Sequence, residues 1–501
     1  MFVRKKKNKS GSTSIQIIRK ERGKNKVLET VGCSSNIFEI EILEKKAKKE
    51  LSKYNEPSLF DKEKIPEITD LSNDSIRVIG PEKIFEPIYN KIGFGKIEEP
   101  LLKELVISRI THPGSKLRLS EYLRESGKTD TTVYSIYRFL DKLNSRLKKR
   151  IEDISFSYTK QQLGGEIGIV FYDITTIYFE SSQPDDFRKA GFSKDGKHQN
   201  PQILLGLLVG KNAYPIGYEI FEGTRFEGHT LIPILEGFKK RFNLDNPIVV
   251  ADAGLLSKDN IDSLVKNGYQ YILGARIKNE TNKVKQQIEK LKLKAEEISL
   301  IKKDKNTKLY ISYSEKRAGK DKFNRERGLK RLENNLSKGR LTKSHINNRG
   351  YNKYLQIDGE LEIKIDYEKF EKDEKWDGLK GYLTNTNLKG KEVIENYNNL
   401  WKIEKAFRVS KTDLKIRPIY HRLRKRIEAH ICISFASYLL YKELERVIKN
   451  QNLSISITQA IESINKMYAV VFLNDQNVLK TIELKKNNMQ TLIIEAVSAE
   501  F

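Results

Sequence analysis

Glu404 lies in a helix-forming stretch, Tyr397-Asn-Asn-Leu400-Trp401-Lys402-Ile403-Glu404-Lys405-Ala406-Phe407-Arg408-Val409-Ser410-Lys411. At about 3.6 residues per turn, positions 397, 400, 404, 408 and 411 fall along one side of a single helix. One carboxylate then shares a stripe with Tyr397, Arg408 and Lys411. An acid fixed among phosphate-binding cations suits a metal-assisted reaction on a polyanion. Two earlier acids join it. Asp173 ends the apolar run Ile169-Val170-Phe171-Tyr172, and Asp252 ends Ile248-Val249-Val250-Ala251. An acid at the end of a buried strand points from the sheet edge into the cleft where ligands of α/β sheets bind.

Three hard oxygen donors, Asp173, Asp252 and Glu404, suit Mg²⁺ or Mn²⁺ rather than zinc. Two such ions, ~3.5–4 Å apart, activate a nucleophile and stabilise a leaving oxygen in phosphodiester displacement. Taken singly, each acid has a plainer reading. An Asp after a strand is commonly a turn-former or helix cap, and Asp252 stands two residues before Gly254. A Glu in a Lys-rich helix is commonly solvated.

The elements that must position these residues follow from the patterning. Residues 1–75 read as a basic N-terminal arm, with β-like pieces at Ser14–Arg19 and Lys26–Gly32, a charged helix Glu41–Tyr54, and a Pro-containing linker over 56–75. Residues 76–160 are helical in pattern: Pro81–Ile92, Leu101–Ile110, Ser115–Glu125 and Thr131–Leu147. Short helices joined by tight turns suit either a helix-turn-helix-like DNA reader or a plain helical scaffold. From Gly165 successive strands give way to strand–helix alternation, which predicts a mixed sheet flanked by helices over 161–276 and 377–450. Residues 277–376 interrupt it as an inserted α+β subdomain, with 16 Lys/Arg against five acids between Ile301 and Gly350. An amphipathic helix, Arg424–Ile448, closes the core, and 451–501 form a helical tail.

Length and charge bound the function. A chain of 501 residues exceeds what one core usually serves. The 93 Lys+Arg against 67 Asp+Glu, +26 net, call for a polyanionic partner, nucleic acid before membrane. The abundance of Lys, Asn and Ile also fits an AT-rich genome, which weakens that argument. Between Lys402 and Arg426 ten Lys/Arg, including Lys405 and Arg417, face only Glu404 and Asp413, and adjacency to Glu404 favours phosphate contact. Cys33 and Cys432 form no CxxC pair, so no zinc or disulfide framework is expected, and a reducing cytosol fits. No apolar window reaches membrane-spanning length, and Met1-Phe-Val-Arg-Lys-Lys-Lys lacks the apolar run of a signal peptide. The six His (112, 198, 229, 345, 421, 430) show no metal-ligand spacing. Trp376 suits either packing or base stacking.

With these blocks in hand the chain resembles the insertion-sequence DDE transposases, of the RNase H-like, retroviral-integrase superfamily. Their third acid lies in the pattern Tyr-(2)-Arg-(3)-Glu-(6)-Lys, and this sequence gives Tyr397, Leu400, Glu404 and Lys411 at that spacing. Asp173-Ile-Thr175-Thr and Val250-Ala-Asp252-Ala-Gly254 resemble the first and second acid blocks. Gly191-Phe-Ser-Lys194-Asp-Gly196-Lys, Leu205-Gly206-Leu-Leu and Arg417-Pro418-Ile-Tyr420-His421 also look like that family. The resemblance covers most of 80–445. It implies that Asp173, Asp252 and Glu404 hold the catalytic metals, and that Tyr397 and Lys411 contact transposon-end phosphates. Leu400 stands where the motif has Arg. Arg408, one turn past Glu404, is the candidate replacement, while Leu400 equally suits a core with Trp401 and Phe407.

The reading is a transposase that binds terminal inverted repeats of double-stranded DNA, hydrolyses the phosphodiester at the element end, and joins the freed 3′-hydroxyl to target DNA. A dimer in the synaptic complex and a bacterial cytoplasmic, nucleoid-associated location accompany it. The rivals are an RNase H-like structure-selective endonuclease, which cuts without joining, and a catalytically inactive DNA-binding protein.

Overall fold

The computed structural model describes the chain apart from residues 22, 54–74, 128–130, 144, 181–182, 192–195, 197–198, 243–245, 256, 348–349, 359–361 and 474–478. The linker expected over 56–75, nearly all of the Gly191–Lys197 block and His198 lie outside the described residues.

The basic N-terminal arm is folded. Strands β1 (Phe2–Lys7), β2 (Thr13–Glu21) and β3 (Lys24–Ser34) form an antiparallel sheet, covered by helix α1 (Ile37–Lys53). Alternation along β2 buries Ile15 and Ile17 against Ala47 of α1. Outward cations are tethered: Arg4 donates to Gln16 at 2.7 Å, and Lys5 pairs with Glu44 at 2.6 Å.

After β4 (Ile76–Val78) come five helices: α2 (Gly80–Ile92), α3 (Pro100–Thr111), α4 (Lys116–Glu125), α5 (Val133–Lys142) and α6 (Ser145–Gln162). Pro81 and Pro100 occupy first turns, where no amide hydrogen is missed. Ser115 and Thr132 cap α4 and α5 by accepting from the amides of Arg118 and Ser135. The single helix expected over 131–147 is two. Leu143 leaves helical geometry and is buried in the core, which lets α6 turn away from α5.

The central sheet contains β5 (Ile169–Tyr178), β6 (Lys189–Ala190), β7 (Pro201–Val209) and β8 (Pro215–Glu222). After α7 (Leu231–Phe242) come β9 (Ile248–Ala251), α8 (Lys258–Lys266) and β10 (Gln270–Ala275). The spatial order β8-β7-β5-β9-β10 has antiparallel pairs up to β5 and parallel pairs from β5 through β9 to β10. This is a mixed sheet of RNase H-like topology, flanked by helices.

The stretch after β10 is only partly a separate lobe. Following α9 (Asn282–Lys290), strands β11 (Ile298–Lys302) and β12 (Lys308–Tyr313) extend the same sheet. They join it through β15 (Leu379–Thr384), which pairs with both β12 and β10. What stands apart is α10 (Glu315–Ser337), β13 (Leu355–Asp358), β14 (Glu362–Ile365) and α11 (Tyr367–Lys372), around a small core of Leu332, Tyr354, Leu355 and Ile365. Trp376 is buried on the α7–α9 side of the main sheet with Leu309 and Leu383, so it is chiefly a packing residue.

Helices α12 (Gly390–Asn398), α13 (Trp401–Thr412) and α14 (Arg424–Asn450) cover the opposite sheet face. Helix α14 is apolar nearly all round and runs through the middle of the molecule. Its Glu443, fully buried, accepts from Tyr214 at 2.6 Å and from Arg446 at 2.9 Å, so the charge is matched where it is desolvated. The last fifty residues hold α15 (Ile457–Ile464), β16 (Tyr468–Leu473), β17 (Leu479–Glu483) and α16 (Asn488–Glu500). They are thus not purely helical: β16 pairs with β17 and also with β4. Among the described residues no helix is long and apolar enough to cross a membrane.

Candidate active site

Side-chain alternation sorts the sheet into two faces. Val170, Tyr172, Val249, Ala251, Tyr271, Leu273 and Leu383 pack beneath α7 and α8. Phe171, Val250, Ile272 and Tyr382 face α12–α14. Tyr172 registers with Ala251, and Ala251 with Leu273. One position further along, Asp173, Asp252 and Gly274 therefore form a row across three adjacent strands on the α12–α14 face. Gly274 in turn registers with Tyr382 of β15. Neighbouring strands lie ~4.8 Å apart, so the two aspartates occupy adjacent places.

Asp173 does not end its strand as expected. Strand β5 continues to Tyr178 because β7 pairs with it along its other edge, through Tyr178 opposite Gln202. What ends beside Asp173 is its parallel neighbour β9, so the aspartate sits midway along its own strand next to the end of another. Asp252 does end β9. Its Oδ1 accepts from the Gly254 amide at 2.6 Å, while among the described residues Oδ2 takes no hydrogen bond. The turn reading of Asp252 and the site reading coexist: the turn fixes one oxygen and leaves the other exposed.

The helix expected to carry Tyr397 and Glu404 together is broken. Between α12 and α13 the backbone closes with i→i−3 bonds, Asn399 to Asn396 and Leu400 to Tyr397. The tighter turn sends Leu400 into the core with Ile403 and Phe407. Leu400 is therefore a packing residue, and the stripe reduces to Glu404, Arg408 and Lys411 on α13. Glu404 is exposed in the first turn of α13, where the helix dipole favours a carboxylate. Arg408 is exposed and Lys411 half-buried. Lys405 turns toward α14 and pairs with Glu445. Arg417 lies over the Tyr178 ring, 5.5 Å from its centroid, at the far end of β5.

Tyr397 reaches the row from above. A Cβ placed on Gly274 would lie 2.3 Å from the Tyr397 hydroxyl and 3.2 Å from the Ala253 amide nitrogen, so glycine makes room for the phenol beside Asp252. The ring packs edge-on against Tyr382 at 5.1 Å, and the Lys380 ammonium sits 4.5 Å from its centroid. Burial, then the charges of Asp252 and Glu404, push the Tyr397 hydroxyl well above the ordinary phenol range. It is held protonated, a donor and not a nucleophile. Burial, with Arg317 in the same sense, draws the Lys380 ammonium below its usual range, and Asp252 opposes the shift.

Lys380, Arg317 and Gly274 were not singled out from sequence. The alternation Lys380-Gly-Tyr382 carries the only signal, and it acquires meaning once β15 is known to flank β10. Beyond them a cleft of about 650 Å³ opens between the sheet and the α10 lobe, lined by Arg276, Arg317, Arg327 and Lys380, with Lys278 and Lys353 paired to Asp373 in its wall and Arg317 near Asp321. Among the described residues no three His, Cys, Asp or Glu side chains converge closely enough to hold a metal ion. Asp173 and Asp252 share the row. Glu404 stands off on α13, within electrostatic reach of the Tyr397 hydroxyl that Asp252 also influences.

Residues 164–440, more than half of the chain, match the family described as the transposase DDE domain. The chain belongs to the DDE transposases. The DDE domain thus takes in the aspartate row, α13 and most of α14. Weaker structural likenesses accompany it. A piggyBac transposase synaptic complex with hairpin DNA is 9% identical, over 77% of this chain and 76% of that one, with a TM-score of 0.40. A Mos1 transposase paired-end complex with left transposon end is 14% identical over 45% and 66%, at 0.16. A mariner Mos1 paired-end complex with Mg is 13% identical over the same shares, at 0.15. The chain spans slightly less than two thirds of the Mos1 chains. No curated protein sequence matches significantly.

Proposed function

We propose that this DDE transposase is encoded by an insertion sequence, binds its terminal inverted repeats, cleaves the phosphodiester at the element end and joins the freed 3′-hydroxyl to target DNA. The observation that carries the reading is the row Asp173–Asp252–Gly274 with the Tyr397 hydroxyl seated beside it. Two adjacent aspartates supply hard oxygen donors of the kind that Mg²⁺ or Mn²⁺ takes. Glu404, exposed on α13, is the third, drawn in when DNA brings charge to the site. Held by these carboxylates, two such ions would supply charge neutralisation at the reacting phosphate and a more acidic water.

The chain's own groups do the rest. Tyr397, kept protonated, donates to a non-bridging phosphate oxygen beside Asp252. Lys380 and Arg317 bring positive charge to the same flank, and the basic cleft carries the duplex toward the α10 lobe. Arg408 and Lys411 on α13, with Arg417 beyond, hold the backbone and read no sequence. The Lys405–Glu445 pair makes Lys405 the weakest of the assigned DNA contacts. A Tyr held neutral is a poor covalent nucleophile, which suits direct transfer without a protein–DNA bond. Synapsis of two ends calls for a dimer on DNA, and a bacterial nucleoid is the setting the reading implies.

The test is incubation with flanked element-end DNA and Mg²⁺, mapping nicks and joined products. Asp173→Asn, Asp252→Asn and Glu404→Gln should each abolish cleavage, at least 10³-fold in rate as an order of magnitude, while retaining end binding. Robust cleavage by one variant removes that residue from the site. Cutting without joining identifies a nuclease instead, and binding without nicking an inactive DNA-binding protein.

A further inference from the structure

The seam between the helical region and the DDE domain contains a cluster of buried basic groups that no acid pairs among the described residues. Arg109, near the end of α3, and Lys116, the first residue of α4, are 5% and 6% exposed. His421 and His430 are buried beside them. The His430 Nε2 lies 3.0 Å from the Ile416 carbonyl, and Arg109 lies 3.1 Å from its Nδ1. The ring is thereby fixed neutral, donating to Ile416 and accepting from Arg109. His421 stands edge-on to it, with ring centroids 5.6 Å apart. Asp141, whose charge reaches His421, is committed to Arg426 at 2.7 and 2.8 Å, with Lys425 at 3.3 Å. Among the described residues neither Lys116 nor Arg109 forms an ion pair, and the side-chain hydrogen bond of Arg109 goes to the neutral His430 ring.

Removing a cation from water costs several kcal/mol even after relaxation, and a fold normally recovers this through a paired anion. Here burial and the adjacent Arg109 pull the Lys116 ammonium well below its usual range. A planar fork, an ammonium and an imidazole lie within electrostatic reach of one another at this seam, a set that suits a tetrahedral oxyanion with several acceptor oxygens. The way in is open. Ser115 and Leu117 on either side of Lys116, and Tyr420 and Arg422 on either side of His421, are exposed. The segment bearing His421 follows directly from α13, the helix of Glu404.

We propose that Arg109, Lys116 and His421 form a phosphate socket that takes one phosphodiester of bound DNA at the seam, away from the carboxylate row. The assignment to DNA rests on the transposase reading; the socket's affinity for a phosphate group does not. Binding there fastens the helical region and the catalytic helix to the same strand.

Lys116→Met in the full chain tests it. Losing an unmatched buried cation should raise the thermal midpoint of the free protein, yet weaken binding of element-end DNA about tenfold and lower the log–log salt slope by about one. Lys116→Arg should keep wild-type affinity. Orthophosphate at matched ionic strength should stabilise the wild type and not Lys116→Met. If orthophosphate discriminates but DNA affinity is unchanged, the DNA assignment falls and a free phosphate is the ligand. If the protein binds no DNA, the transposase reading fails while the orthophosphate comparison still decides the socket. If Lys116→Met is destabilised, or neither ligand distinguishes it from wild type, the socket is overturned. Should it not fold, the orthophosphate shift of wild type against His421→Gln decides in the same way.

Discussion

Gly274 is the most economical place to perturb the row without touching a charge. Its added methyl in Gly274→Ala would meet the Tyr397 hydroxyl at 2.3 Å and the ring Cζ at 3.0 Å. On its other side the Ala253 backbone nitrogen stands at 3.2 Å, so the methyl has no room to retreat. The phenol must yield by about 1 Å to restore ordinary contact, and a displacement of that size at a positioned group costs on the order of 10²-fold in rate. Tyr397→Phe alone removes one charge-assisted hydrogen bond, worth about 10- to 100-fold. Adding Gly274→Ala to Tyr397→Phe should then cost under about tenfold, because the tightest contact has gone with the hydroxyl. The assay is single-turnover cleavage of labelled end DNA in Mg²⁺, with thermal unfolding to verify that each variant is folded. Cleavage by Gly274→Ala within twofold of wild type, or an equal penalty in both backgrounds, would refute the placement of Tyr397 over Gly274.

Two other outcomes follow from the same geometry. Leu400→Arg, which restores the motif's cation, should destabilise the protein by about 2–4 kcal/mol in urea unfolding, because the side chain is core and not surface; unchanged stability with tighter DNA binding would contradict this. Arg426, chiefly, holds the Asp141 carboxyl at about 2. A carboxyl lowered by folding contributes stability above the ordinary carboxylate range and loses it as pH falls from about 4 to about 2. Asp141→Asn should therefore cost about 1 kcal/mol at neutral pH, after screening, with the gap closing near pH 2. A gap that persists there assigns the loss to packing.

Much of the candidate site's framework was legible because its strands are short apolar runs that end at, or run through, acids. Asp252 and the β9 run before it read directly. Asp173 read as a strand terminus because polar Asp173 and Thr175 interrupt the apolar run, whereas pairing with β7 carries the strand through them. The break between α12 and α13 left no Gly or Pro to announce it; only the burial of Leu400 forces the turn. Strands β11 and β12 lie in a charged stretch that resembles a detached insert, and their place in the main sheet depends on β15, some seventy residues later. Lys380 and Gly274 could not be weighted for the same reason. Their roles arise from register across strands that are distant in sequence.

The pairing of β4 with β16, and the packing of α2 against α15 and α16, have a consequence for how the molecule is held together. The amide of Gly80 bonds to Met467, and Asn465 donates to the Thr111 carbonyl at 2.8 Å. Helices α2 and α3, which also pack on one another and on α14, thus gain further partners from elements that come far later in the sequence. A variant lacking residues 457–501 would leave these contacts of β4, α2 and α3 unmade, which couples the stability of the helical region to the segment that follows α14.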